Sequence, residues 1–195
     1  MFKRFAVVVL SFLALSTSMV SAAEYNVDPA HSQVNFSVKH LMMFKVRGVF
    51  SDFTAKLEAD AATRTLQSVS AVVQIASLDT QQPKRDGHLK SPDFFAAKQY
   101  PTMTFVSNRI QGKGDDIKVY GDLTIRGITK KVAFKGEFMG VNTDPWGNER
   151  AGFEATAKIS RKSFGLEYNP ALETGGVVVG DEVTITLEIQ AIRKK

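Results

Sequence analysis

Apolar and polar residues alternate with a period of two along most of this chain, the rhythm of β-strands with one buried face. In residues 32–40, Val34, Phe36, Val38 and His40 share one side, opposite Asn35, Ser37 and Lys39. Residues 46–50 and 53–60 continue the pattern as one bent strand, with Gly48 a candidate kink. Six more runs follow, at 66–78, 102–110, 117–126, 130–140, 149–160 and 183–191. That makes eight long strands, preceded by a short extended lead-in at 24–28 that Pro29 stops. Eight antiparallel strands can close into a barrel, which leaves no exposed edge. A two-sheet sandwich would show the same alternation, so the period alone does not choose between them.

The inward residues favour a hollow. Small ones (Ala55, Ala59, Ala71, Gly121, Gly136, Ala155, Ala157) mix with Phe36, Phe53, Phe105 and Phe134. Small residues leave room along a barrel axis, and phenylalanines line it without polar groups. A packed barrel also sets small residues against large ones and is the alternative reading. Such an interior suits a long hydrocarbon chain, at about 0.8 kcal/mol per buried methylene.

Residues 83–101 break the rhythm. Ser91 is a candidate helix N-cap, with Pro92 at the first helical position and Asp93 at the positive end of the dipole. Phe94, Phe95, Ala96 and Ala97 follow, and Pro101 ends the element. The expectation is a short helical cap between the third and fourth strands, covering an enclosed space or plugging a sandwich end. Leu41–Phe44 reads as an apolar turn, either a ligand portal or a buried corner. Residues 161–181, with five Gly or Pro, are long for a loop, which marks function or mobility. Trp146 reads as a packed corner of its turn.

Residues 1–22 have the form of an export signal: Lys3 and Arg4, an apolar run, then Val20-Ser21-Ala22 before a cut. The expectation is an exported, soluble protein with one domain, residues 23–195, an uncleaved anchor being the alternative. No later segment of membrane length follows. With no cysteine in the chain, neither disulfides nor thiol chemistry contribute. Cleavage would leave 23 basic against 20 acidic residues, too mild a balance to imply nucleic acid. Arg126, Lys130, Lys131 and Lys135 read as solvated strand faces.

Polar chemistry is sparse. His31, His40 and His88 lack the spacing of metal ligands. No nucleophile elbow surrounds any serine, although Glu167 and Glu173 could pair as acid and base. Lys84, Arg85, His88 and Lys90 beside the cap are candidates for meeting an anionic head group. The alternative is that Arg85 and Asp86 pair and fix the loop.

Several motifs occur in a characteristic order: Asp28-Pro-Ala-His31-Ser32, Gly48-Val-Phe50, Arg85-Asp86-Gly-His88-Leu89-Lys90-Ser91-Pro-Asp93-Phe94-Phe95, Tyr100-Pro101, Gly121-Asp122-Leu123-Thr124-Ile125-Arg126-Gly127, Asp144-Pro-Trp146-Gly147, Arg161-Lys-Ser-Phe164-Gly165 and Gly180-Asp181-Glu182-Val183. In this arrangement the chain resembles the YceI family of exported, lipocalin-like polyisoprenoid-binding proteins. The resemblance implies an all-β fold: an eight-stranded antiparallel barrel with a helical element at one side. It also implies a long apolar pocket for an isoprenoid tail, as in a polyprenyl diphosphate or a quinone, a periplasmic location, a stress link and no established catalysis. Expected lining residues are Phe36, Val38, Phe50, Phe53, Val73, Phe94, Phe95, Phe105, Leu123, Phe134 and Phe153. His40, Arg85, His88 and Lys90 are expected at the head group or mouth. No cofactor or metal is expected; transient contact with a membrane surface and a homodimer are both admitted. The competing reading is a periplasmic enzyme acting on such a lipid or on a stress product.

Overall fold

The computed structural model describes residues 22–170 and 177–195. The expected export signal therefore lies outside the described residues except for Ala22, as do Glu173, Gly175 and Gly176. In chain order the strands are β1 (Ala23–Val27), β2 (Gln33–His40), β3 (Phe44–Phe50), β4 (Phe53–Asp60), β5 (Thr65–Gln74) and β6 (Leu78–Asp79). After helix α1 (Pro83–Lys90) come β7 (Thr102–Lys113), β8 (Asp116–Ile125), β9 (Ile128–Thr143), β10 (Glu149–Ser160) and β11 (Val179–Arg193).

Every pairing is antiparallel, and the ring β1-β4-β5-β7-β8-β9-β10-β11 closes where β11 returns to β1. The fold is thus a closed eight-stranded barrel with one short helix. Strand β11 is long enough to pair twice along one edge: with β1 near its end (Val27↔Ala191) and with β2 from Val179 to Glu188. Strands β2, β3 and β6 extend the sheet from there.

Between β1 and β2 the chain makes a 3-10 turn, Pro29–His31, with Asp28 as its cap accepting from the Ala30 amide. The Ser32 hydroxyl bridges this gap by donating to Gln190 O and accepting from Gln190 N. Arg150 clamps the same corner, donating to Asp28, Gln190 and Asp144 at 2.7–2.8 Å. The arginine's hydrogen bond is the largest influence on the Asp28 carboxyl and holds it below the usual range. For Asp144 burial is the largest single influence and pushes upward. Bonds from Arg150, Asn148 and Trp146 together outweigh it and leave the group well below the usual carboxylate range. Nearby Tyr25 is fully buried; burial first, then the hydrogen bond to Glu149, pushes its hydroxyl up to about 12.

Three expectations are corrected. The helix follows the sixth strand in chain order, because the lead-in at Ala23–Val27 is a paired strand, β3 and β4 are separate, and Leu78–Asp79 pairs with β3. It also ends where the sequence reading would start it. Gln82 caps it, accepting from Lys84 N and Arg85 N, with Pro83 at the first position. Ser91 is extended at its far end, as a residue preceding proline prefers. Residues 92–99 are turns, with Ala96 at φ 49°. Gln is a weaker N-cap than Ser or Asp, and Gly87 in the middle costs about 1 kcal/mol of helix propensity, so the true helix has the fainter signal. Finally, Leu41–Phe44 is no buried corner and Trp146 no packed one: Met42, Met43, Phe44 and Trp146 are all exposed.

Candidate functional site: an apolar cavity in the barrel

The inward faces enclose a cavity of about 240 Å³. All eleven residues expected to line a pocket do meet there: Phe36 and Val38 from β2, Phe50 from β3, Phe53 from β4, Val73 from β5, Phe105 from β7, Leu123 from β8, Phe134 from β9, Phe153 from β10, and Phe94 with Phe95 from the turns after α1. Barrel closure brings them together, because period-two strands each send alternate residues to one axis.

The walls are layered. At the far end Phe153 of the wall stacks on Phe138, a core residue behind the lining, with ring centroids 4.3 Å apart. Phe105 meets Phe134 edge-on at 5.3 Å in the middle. Toward the helix, Phe50 lies 5.7 Å from Phe36 and 6.0 Å from Phe95. Ala55, Ala71 and Ala155 give the hollow its width. Gly121 does not: a Cβ there would sit 2.5 Å from the Phe105 ring and 2.5 Å from Val106 O, so the ring already occupies its space. Gly136 admits the neighbouring backbone, since its Cβ would fall 2.0 Å from Glu154 O. These glycines set close packing and do not widen the axis.

A space this large could hold several waters at about 30 Å³ each, but water needs two to four polar partners. The lining is almost wholly apolar, so it suits hydrocarbon. Sequence reasoning missed Leu89, Phe164, Leu166 and Arg161 in the wall. The first three lie in segments without period.

Arg161 is only 4 % exposed, and burial pulls its guanidinium pKa down. It donates to four carbonyls, Leu166 O, Tyr168 O (3.0 Å), Val179 O (3.1 Å) and Gly180 O (2.8 Å). It therefore joins the chain leaving β10 to the chain entering β11. Arg126, expected on a solvated face, similarly donates to Phe94 O at 2.7 Å and Gly165 O at 3.0 Å. Lys130, Lys131 and Lys135 do lie exposed.

The four residues expected at a head group are not part of the wall. The Arg85 guanidinium donates to Thr80 Oγ1 (2.8 Å) and Thr80 O (2.7 Å), while the Asp86 carboxylate accepts from Thr80 N and Oγ1. Both fix the loop, through Thr80 rather than through each other. His88 contacts Asp93 at 3.0 Å and packs edge-on against Phe94 and Tyr168. Lys90 ends α1, and His40 faces Phe44 across the β2–β3 hairpin. The histidines are far apart in role as well: His31 contacts Asp28 at 2.8 Å. Among the described residues no cluster of His, Asp or Glu could hold a metal ion.

A family model described as the YceI-like domain matches residues 25–191. Protein YceI of Escherichia coli is 34% identical over 187 residues, which cover 94% of each chain. The crystal structure of a Campylobacter jejuni YCEI protein superposes with a TM-score of 0.71 at 32% identity, covering 80% of this chain and 90% of that one. A polyisoprenoid binding domain from Saccharophagus degradans, implicated in plant cell wall breakdown, shares the fold at TM-score 0.66 and 14% identity, over 87% of this chain and 98% of that one. A model spanning nearly the whole barrel and a relative matched almost end to end agree: this chain belongs to the YceI-like domain family.

Proposed function

We propose that this protein binds an isoprenoid lipid with its tail in the barrel, and that it carries or sequesters the lipid without transforming it. The observation that carries this reading is the cavity of about 240 Å³, walled by phenylalanines and aliphatic residues. Family membership and the polyisoprenoid binding domain among the structural neighbours support it. Each buried methylene contributes about 0.8 kcal/mol, so a prenyl tail needs little polar recognition to bind tightly.

The wall favours a quinone over a polyprenyl diphosphate. Its one guanidinium, that of Arg161, is engaged by four carbonyls, and Arg85 is held by Thr80. A diphosphate would have to stay outside the wall in water. The apolar run behind Lys3 and Arg4 supports export to the periplasm, where such a carrier would shield a tail from water between membranes; a link to stress fits that setting.

Native mass spectrometry of protein purified without added ligand tests the reading. The expected result is a non-covalent adduct that organic solvent extracts and that fragments as an isoprenoid. Protein that carries no lipid, and takes up none from quinone-containing micelles, would overturn it.

A further inference from the structure

The hairpin joining β2 and β3 is built in an expensive way. Leu41 and Met42 both adopt left-handed backbone, at φ 50° and 61°, where glycine or asparagine would fit without strain. The side chains so held face water: Met42, Met43 and Phe44 are 57%, 77% and 62% exposed. Three consecutive large apolar residues at a tip differ from the scattered exposed ones a surface normally shows.

Behind the tip, one face of the hairpin is basic. Lys39 and Lys45 are direct cross-strand partners, and Arg47 opposes Ser37 one outward pair further back. Among the described residues none of the three meets a carboxylate in an ion pair. The tip also adjoins the cavity. Val38 lies in its wall, as does Val179, which pairs with His40, and Leu41 N donates to Val178 O at 2.8 Å.

We infer that this hairpin is a membrane-docking tip: Met42, Met43 and Phe44 enter the surface of a bilayer while Lys39, Lys45 and Arg47 meet anionic lipid head groups. Apolar tip residues with cations along one face of the hairpin behind them match a bilayer interface, where rings and thioethers sit at the acyl boundary and lysine stems reach back to phosphates. A stable protein partner would need roughly 800 Å² of surface on each side, far more than a three-residue tip offers. Docking here would set the barrel's apolar interior beside the lipid it takes up or delivers, so the inference rests on the lipid-binding reading for its purpose.

The test replaces Phe44 with tryptophan in a Trp146→Phe background, so that the only indole reports on the tip. Emission should shift to the blue with vesicles of mixed phosphatidylcholine and phosphatidylglycerol, less with phosphatidylcholine alone, and less again in high salt. Lys45→Gln should weaken vesicle partitioning about fivefold and Met43→Asp at least about tenfold. Met43→Asp should still take up cavity lipid supplied in detergent, as read by native mass spectrometry, since Met43 is not in the wall and detergent bypasses docking. No shift with either vesicle overturns the inference, and so does a shift that follows protein concentration without vesicles, which would mean the tip joins two copies. Vesicle binding by protein that never carries lipid would leave docking standing and sink the lipid-binding reading instead.

Discussion

The substitution Ala71→Phe separates a ligand chamber from a packed core, because the two pictures predict opposite signs for stability. Ala71 lies in the cavity wall, directly across from Ala55 on β4 and Phe105 on β7. At about 24 cal/mol per Å³, a cavity of 240 Å³ left unfilled costs roughly 6 kcal/mol. That is comparable with the whole net stability of an ordinary domain. Lipid should recover most of it. For a domain of this size each kcal/mol moves the melting temperature by about 2–4 °C, so loaded and solvent-stripped protein should differ by roughly 12–24 °C. A phenylalanine ring placed in the hollow should contribute about 1.5–3 kcal/mol of its own burial. Calorimetry should therefore find stripped Ala71→Phe several degrees more stable than stripped wild type, and mass spectrometry should find it with much less lipid. The refuting result is a variant less stable by the 1–3 kcal/mol of an overfilled core, together with equal melting of loaded and stripped wild type.

Other substitutions probe other parts of the argument. Phe36→Asp or Phe105→Asp should abolish lipid co-purification in protein that still shows a β-sheet circular dichroism spectrum. Arg161→Lys leaves buried carbonyls without donors at about 1–3 kcal/mol each, so unfolding by urea should show a loss of at least about 3 kcal/mol, roughly 6–12 °C in melting temperature. Gly48→Ala would put a methyl 2.5 Å from the Phe36 ring and 2.8 Å from Thr80 Cγ2; the ring should retreat into the cavity, lowering lipid capacity more than stability in paired mass and melting measurements. Asp28 and Asp144 titrate below the ordinary 3.8, so the stability they contribute is complete above that value and is lost as pH falls below about 4. Arg150→Met should flatten the melting temperature in that acid range and leave its slope near neutrality unchanged.

Strand positions and the cavity wall were legible for one reason. In a barrel, inside and outside are decided by a period of two, so a residue such as Phe105 or Leu123 declares its side through its neighbours alone. What lies between strands obeys no such rule. Leu89, Phe164 and Leu166 reach the wall from a helix end and a turn, where direction depends on tertiary contacts. Gly121 looked like a source of room because its own volume is small. The Phe105 ring that takes the room comes from the adjacent strand, through a register that the sequence does not state.

The basic residues near the helix show a second limit, and it bears on selectivity. A guanidinium presents five donors in a fixed fork, and it is equally suited to a phosphate and to a set of carbonyls. Carbonyl oxygens belong to every residue, so nothing in the sequence marks Thr80, Phe94, Gly165 or Leu166 as an arginine's partner. Arg85, Arg126 and Arg161 each secure a segment at the helix end of the barrel in this way. An arginine holding structural carbonyls cannot also pay out its donors to a mobile head group without loosening the wall. On the proposed lipid-binding reading, discrimination then comes from how far a tail extends past Phe36, Phe105 and Phe153, and from a helix end whose arginines are already engaged and so favour an uncharged head group.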